Sequence, residues 1–369
     1  MIETIDLRQY GYAESEAPAD GLLPGRVTEL RREQYRVITE RGETRAVLKG
    51  AFYRGAKPRG DIPCIGDFVL LQSGAGGISH IVKLLPRRSK FSRADFSGHS
   101  AGYAKTILEQ VVAANFDYVF IASSLNWDFK VSRVIRYITQ ARQGGGQPVV
   151  ILTKADLVED FEAPLAEVRR VAPSVPAHAI SSHTGLGLGA LGEYLRPGKT
   201  AVFLGMSGVG KSSLLNRLME QDVMTVKAIR EEDSRGRHTT THRQLFKLPS
   251  GAMVIDTPGM RELGLLGASE GIAAVFADVE GLFAQCRFSD CSHETEPSRA
   301  PPGCAVLAAL ADGSLPRERW DRYLAQKRET KFADDRAGYL ANKKAWGKSI
   351  TKFSRQIKNG DGKNGGREE

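Results

Sequence analysis

What the chain lacks narrows its class before any motif is read. None of its apolar runs approaches the roughly 18 residues that cross a bilayer as a helix. The start, Met1-Ile2-Glu3-Thr4-Ile5-Asp6, has no basic stretch leading into an apolar core, so it predicts no secretory signal. Cysteine is sparse, at four in 369 residues, and is not paired in the manner of a disulfide scaffold. Aromatic residues make up only 8%. Together these absences exclude a helical membrane protein and a disulfide-stapled secreted module, and they predict a cytoplasmic protein. What remains is an ordinary globular composition with a net charge of +9, which favours polyanionic partners. The length predicts two or three domains.

Residues 1–20 are polar and predict a loosely ordered tail. Between 21 and 93 no helical period is visible. Short runs around Val27, Val37, Val47, Val69 and Ile81 alternate with turn residues, which predicts five strands closing into a small barrel. That segment holds fifteen Lys or Arg against six acids, so a basic oligonucleotide-binding face is expected. Tyr35, Phe52 and Tyr53 are open to either role, core residue or base-stacking platform. Cys64 reads as a small buried residue. Pro86 to His99, rich in Ser and Arg, reads as a linker. From about 103 to 270 the texture changes to apolar strands (Asp117–Ala122, Pro148–Leu152, Thr200–Leu204) alternating with helices. This predicts a parallel sheet covered on both faces.

Strand Thr200–Leu204 runs into Gly205-Met206-Ser207-Gly208-Val209-Gly210-Lys211-Ser212-Ser213 and then a helix. This is the phosphate-loop spacing GxxxxGK[ST]. Glycines let backbone N–H groups turn inward around phosphate oxygens, and the helix N-terminus adds its positive end. Lys211 is expected on the β- and γ-phosphates and Ser212 on Mg²⁺. Strand Pro148–Leu152 leads into Thr153-Lys154-Ala155-Asp156, which resembles the guanine-selecting [NT]KxD element. A carboxylate at Asp156 accepts from the ring N–H and exocyclic amine that adenine lacks there, and the Lys154 stem packs on the base. Ser181-Ser182, followed by His183-Thr184-Gly185, resembles the element that supports the guanine carbonyl. Downstream, Gly236-Arg237-His238-Thr239-Thr240-Thr241 offers a switch threonine for Mg²⁺, Thr240 or alternatively Thr239. Asp256-Thr257-Pro258-Gly259 supplies a second Mg²⁺-directed carboxylate and an N–H, that of Gly259, for the γ-phosphate.

The order is unusual, because the guanine elements precede the phosphate loop. A sheet tolerates such a circular permutation where the original termini lie close together. A permuted GTPase with a basic barrel before it and a Cys/His cluster after it resembles the small-subunit-dependent GTPase A family, also called RsgA, YjeQ or YloQ, over about residues 20–330. The resemblance implies an N-terminal OB-fold barrel, a circularly permuted phosphate-loop GTPase domain and a C-terminal helical zinc-binding domain. It implies GTP and GDP, Mg²⁺ and one Zn²⁺ as ligands. It further implies action in late maturation of the small ribosomal subunit, with rRNA as partner and hydrolysis stimulated by the subunit. The expected division is a tail at 1–20, the barrel at 21–93, the GTPase at 94–270, the zinc domain at 271–330 and a basic tail at 331–369. The chain is expected to act as a monomer away from membranes.

The cluster Cys286-x4-Cys291-x-His293-x10-Cys304 is a three-thiolate, one-imidazole set of the closed, structural zinc type. Its last spacing is longer than is usual in the family, which places an insertion at 296–302. Residues 316–332 read as a helix, and the basic 331–369 segment either orders on RNA or remains a solvated tail. Many GTPases orient the attacking water with Gln just after DxxG, but Met260 stands there and cannot hydrogen-bond to water. His238 is the expected substitute, and Lys211 and Thr240 complete the catalytic set. Two other classes compete. One is an RNA-binding assembly factor in which nucleotide is only structural, against which stand the intact Lys211, Ser212, Thr240 and Asp256. The other is an ATPase or kinase, against which stands Asp156.

Overall fold

The computed structural model describes residues 4–13, 21–31, 34–50, 61–74, 77–95, 108–126, 129–221, 243–256, 269–288, 290–293 and 303–334. The N-terminal strands are β1 (Leu23–Arg31), β2 (Gln34–Thr39), β3 (Gly42–Leu48), β4 (Phe68–Gln72) and β5 (Ile78–Leu84). β1 pairs with β2, β2 with β3, β3 in parallel with β5, β5 with β4, and β4 returns to β1. The ring is therefore closed, an OB-like barrel that leaves no free edge. Its interior is Val27, Val37, Ala46, Ile65, Val69, Leu71 and Ile81, each at most 1% exposed. Tyr35 is buried at 3%, so it belongs to this core and is no stacking platform. Phe52 and Tyr53 lie outside the described residues.

The expected linker is in part a strand. β6 (Lys90–Asp95) forms an antiparallel hairpin with β7 (Leu108–Ala114). Phe91 of β6 stacks on Phe116 at 4.6 Å, and Val111 to Ala114 are buried. The polar composition of Lys90–Asp95 hid a strand whose pairing partner lies much further along the chain.

Five strands then run parallel: β8 (Tyr118–Ser124), β9 (Gln147–Thr153), β10 (Ala177–Ala179), β11 (Thr200–Leu204) and β13 (Met253–Asp256). They are joined by α1 (Val131–Gln143), α2 (Glu162–Val171) and α3 (Lys211–Met219), with β12 (Arg243–Lys247) antiparallel beside β13. The order across the sheet is β10-β9-β8-β11-β13-β12, so the strands that come first in the chain lie beside and beyond the phosphate-loop strand. Buried runs such as Val119–Ala122 and Val149–Leu152 are what a sheet covered on both faces demands. β12 also pairs with β1, matching Glu29 with Gln244 and Leu30 with Arg243, so barrel and parallel sheet form one continuous eleven-stranded surface.

The C-terminal helices are α4 (Ser269–Val275), α5 (Ala277–Phe283), α6 (Ala305–Asp312) and α7 (Arg317–Asp334). They pack on the sheet through α1. Thr139 donates to Gln326 at 2.6 Å with both residues buried, and the Gly271 N–H donates to Gln143 at 2.8 Å. Arg319 of α7 reaches the Val171 carbonyl at 3.0 Å, the Val275 carbonyl at 2.8 Å and the Asp278 carboxylate at 2.6 Å, which ties α7 to α2, α4 and α5.

Among the described basic residues of the barrel segment the charge is less superficial than the sequence count suggests. Arg26 has no exposed surface. Arg87 is 12% exposed and donates to Asp67, itself 0% exposed, at 2.7 and 2.8 Å. Arg31, Arg36, Arg41, Arg45, Lys49, Lys83, Arg88 and Lys90 do face solvent.

Candidate nucleotide site and metal centre

Because β8 to β11 and β13 run the same way, their C-terminal ends open at one edge of the sheet. Open α/β sheets bind ligands at that edge. Four of the sequence-predicted elements begin there: Thr153 ends β9, Ser181 follows β10, Gly205 follows β11, and Asp256 ends β13. His238, Thr239, Thr240, Gly259 and Met260 lie outside the described residues.

Gly205, Gly208 and Gly210 have φ of 150°, 80° and 98°. A Cβ on Gly205 would stand 2.4 Å from the Ala122 carbonyl oxygen, so the loop leaves β11 in a space only glycine fits. The loop turns into α3 with Gly210 at its N-cap, which directs the first helical N–H groups at the mouth of the loop. Lys211 Nζ donates to the carbonyls of Gly205 at 2.7 Å and Met206 at 2.6 Å, placing the ammonium across that mouth. Ser207 and Gly208 are exposed and Val209 is buried, so the crest faces solvent while its base is anchored. Ser212 and Ser213, half-buried, occupy the first turn of α3. A glycine turn at a helix N-terminus with one ammonium across it suits a polyphosphate, and Ser212 at the start of α3 and Asp256 at the end of β13 lie at the same edge of the sheet.

Thr153 turns out to be a connector. It is 2% exposed, and its hydroxyl donates to the Val209 carbonyl at 2.5 Å, which clamps the turn after β9 to the phosphate loop. Lys154 adopts φ 60°, a left-handed conformation, and burial lowers its ammonium below the usual lysine range. Ala155 is buried, with its N–H on the Ile180 carbonyl at 3.0 Å, and Asp156 is exposed beyond it. Ser181 is also internal. Its hydroxyl accepts from the N–H groups of His183 at 3.2 Å and Thr184 at 3.0 Å, and so shapes the turn. Ser182 is half-exposed at the turn surface. The buried-hydroxyl signal for Thr153 and Ser181 was missed because a motif match does not say which members face the ligand.

The second site lies at the C-terminal helices. Ligand atoms of Cys286, Cys291, His293 and Cys304 all fall within 4.8 Å of one another. His293 Nδ1 is 3.6 Å from Cys286 Sγ and 3.7 Å from Cys304 Sγ. Tetrahedral zinc, with bonds of about 2.3 Å to sulfur and 2.0 Å to nitrogen, sets such edges at roughly 3.6 to 3.8 Å. The donor set therefore fits Zn²⁺, and its four protein ligands leave no position for a reacting water. His293, at φ 57°, stacks on Phe283 at 4.4 Å, and Trp320 of α7 stands edge-on to both rings. The longer spacing before Cys304 does not disturb the cluster.

Comparison with known proteins agrees with this geometry. A family profile described as RsgA GTPase matches residues 84–266. The chain is 44% identical over 330 residues to a small ribosomal subunit biogenesis GTPase RsgA of Listeria monocytogenes, covering 88% of this chain and 90% of that one. It is 45% identical over 314 residues to the RsgA of Streptomyces avermitilis, covering 84% of this chain and 80% of the relative. Among solved structures, YjeQ from Thermotoga maritima superimposes with a TM-score of 0.61 at 26% identity, over 84% of this chain and 98% of that one. YloQ, described as a circularly permuted GTPase, shares the fold at TM-score 0.59 and 22% identity, over 86% of this chain and 99% of its own.

Proposed function

The chain belongs to the RsgA GTPase family, and on that premise we propose how its residues carry out the work. It is a GTP-hydrolysing enzyme of small ribosomal subunit biogenesis, with GTP and GDP, Mg²⁺ and a structural zinc as its ligands. The observation that carries the residue assignments is the convergence of the base-selecting, phosphate-binding and Mg²⁺-directed elements on one end of five parallel strands.

Asp156 reads guanine by accepting two N–H donors, with Lys154 against the base and the Ser181-Ser182 turn beneath the carbonyl. The phosphate-loop amides from Gly205 to Ser213 and the Lys211 ammonium hold the phosphates, and the Gly259 N–H meets the γ-phosphate. Ser212, Thr240 and Asp256 would hold Mg²⁺, which supplies positive charge where negative charge develops on the transferred phosphoryl group. Met260 leaves water orientation to His238, whose imidazole accepts or relays a proton near neutral pH. The partner is rRNA of the small subunit, contacted in part by the exposed arginines of the barrel. Its binding orders the site and speeds hydrolysis. The working division is a barrel at 21–93, a GTPase at 94–270 and a zinc domain at 271–330, acting as a monomer in the cytoplasm.

The test is single-turnover GTP hydrolysis with and without small subunits. Subunits should accelerate the parent protein at least about tenfold. A slow rate indifferent to subunits would favour a structural nucleotide in an assembly factor and refute this reading. In the same assay His238→Ala should lose roughly a hundredfold of the stimulated rate while keeping GTP affinity. An undiminished stimulated rate refutes the role given to His238. Asp156→Asn should weaken GTP roughly a hundredfold, the worth of two charge-assisted hydrogen bonds at 1.4 kcal/mol per decade. It should improve binding of xanthosine triphosphate, whose carbonyl replaces the guanine amine and accepts from the new amide. Competition titration of the two nucleotides measures it, and an unchanged preference would exclude Asp156 as the selector.

A further inference from the structure

Arg26, counted by sequence among the basic residues of the barrel surface, is wholly buried at the junction of barrel and sheet. Its Nη1 donates to the Tyr10 carbonyl at 2.6 Å and to Thr200 Oγ1 at 3.0 Å, and lies 3.2 Å from Met253 Sδ. Its Nη2 donates to the Asn115 carbonyl at 2.8 Å and its Nε to the Gly66 carbonyl at 3.2 Å. The guanidinium stands over the Phe68 ring at 5.0 Å. These hydrogen-bond partners are all uncharged. The nearby carboxylates are engaged elsewhere, Asp67 by Arg87 and Asp117 by Lys199 and the Thr200 N–H.

Burying a cation without a hydrogen-bonded carboxylate is costly, and well-packed apolar side chains commonly replace buried charges without loss of stability. Stability alone is a poor reason for an arginine here, whereas geometry is a good one. The planar fork has fixed donor directions, and its acceptors come from separate parts of the chain. Tyr10 ends a 3-10 turn, Leu7–Tyr10, that is ordered within the segment expected to be a loose tail, while Gly66 precedes β4 and Asn115 lies between β7 and β8. Thr200 and Met253 are neighbouring Cα partners that begin β11 and β13. The far ends of those two strands carry the phosphate loop and Asp256. Gly66 itself lies so close to the end of β7 that a Cβ there would stand 2.2 Å from the Ala114 carbonyl oxygen. The other end of β1 is held by the β12 ladder at Glu29 and Leu30, so β1 is fixed to the sheet at two points.

We propose that Arg26 is a positioning residue for hydrolysis: it locks β1 of the barrel to the roots of β11 and β13, so that RNA engaged by the barrel acts on the phosphate loop and Asp256. The inference rests on the reading that small subunits stimulate hydrolysis. Arg26→Met, Arg26→Lys and Thr200→Val are compared with the parent protein for thermal midpoint, GTP affinity, basal turnover, co-sedimentation with small subunits and stimulated turnover. Arg26→Met should bind GTP, hydrolyse it at the basal rate and sediment with subunits, while the ratio of stimulated to basal rate falls about tenfold. Arg26→Lys, which keeps the charge but not the fork, should recover part of the ratio, and Thr200→Val should lower it by a smaller factor. A parental ratio in Arg26→Met, or basal and stimulated rates that fall in parallel, would overturn the proposal. If Arg26→Met does not fold, Thr200→Val decides, and an unchanged ratio there overturns it. A parent protein that subunits do not stimulate removes the functional reading and this inference together. A stimulated parent with an equally stimulated Arg26→Met removes the inference alone.

Discussion

Replacing Lys211 by Ala should cost two to three orders of magnitude in single-turnover GTP hydrolysis and weaken GTP binding severely, with the fold intact. The ammonium lies 2.6–2.7 Å from the Met206 and Gly205 carbonyls, at the centre of a loop whose backbone curls around it. A phosphate entering that cradle meets the only side-chain cation of the phosphate-loop string, Gly205 to Ser213. Preorganised donors aimed at developing charge are worth about 2.7–4 kcal/mol each when removed, which is 10²–10³ in rate. The loss should exceed that of Ser213→Ala, since Ser213 lies one residue past the motif position. Neither change should alter the thermal midpoint by more than about 2 °C, because both side chains sit at the solvent-facing start of α3 and fill no core space. Stopped-flow binding of a fluorescent GTP analogue and a chemical-quench time course measure the two effects. An Ala variant within about threefold of the parent would remove Lys211 from the phosphate site.

The fold was legible where local pattern and chemistry coincide. Strand, turn and helix around Gly205–Ser213 announce themselves, because glycine at φ 80–150° and a Lys-Ser pair have few other uses. The turn at Thr153–Asp156 was legible because it sits at the end of an unbroken apolar strand. The gathering of Cys286, Cys291, His293 and Cys304 into one cluster was legible from residue type and spacing alone. The closed barrel could be expected from five short runs, but its closure by β4 onto β1 is a long-range pairing that no local window contains. The same limit hid the β6–β7 hairpin and the β1–β12 ladder. Arg26 shows a different failure. An arginine in a basic segment reads as surface, and only the tertiary arrangement supplies the carbonyls that make its burial tolerable. Thr153 and Ser181 show a third. Their hydroxyls hold the site together from behind, a role the motif pattern does not separate from ligand contact.

Removing zinc should have the largest structural effect. Cys286 and Cys291 come from the turn after α5, His293 from a left-handed residue beyond it, and Cys304 from the N-cap of α6. The Arg287 N–H on the Gly303 carbonyl at 2.9 Å also joins these pieces, and apolar side chains of the two helices, such as Val279 and Val306, share one core. Sites of this type contribute on the order of 10 kcal/mol of folding free energy at neutral pH, far more than the residual packing of two short helices. Burial raises the Cys304 thiol, so without metal it stays protonated at neutral pH. The consequence reaches beyond the cluster. His293 stacks on Phe283, Phe283 and His293 face Trp320, and Trp320 stacks on Tyr323 of the same helix that bonds Thr139 of α1. A strong chelator, or Cys291→Ala, should therefore release Trp320 to water and loosen α7 from the sheet. In a variant with Trp127 and Trp346 replaced by Phe, Trp320 emission should shift to the red and the metal content fall from one zinc per chain to near zero. GTP affinity should fall only modestly, because β8, β9 and β11 keep their own core on the face that carries α3. The stimulated rate should fall much further, since α4 follows directly from the segment that begins at Asp256. Protein that carries no zinc as purified, or Trp320 emission unmoved by chelation, would refute the structural role of the cluster.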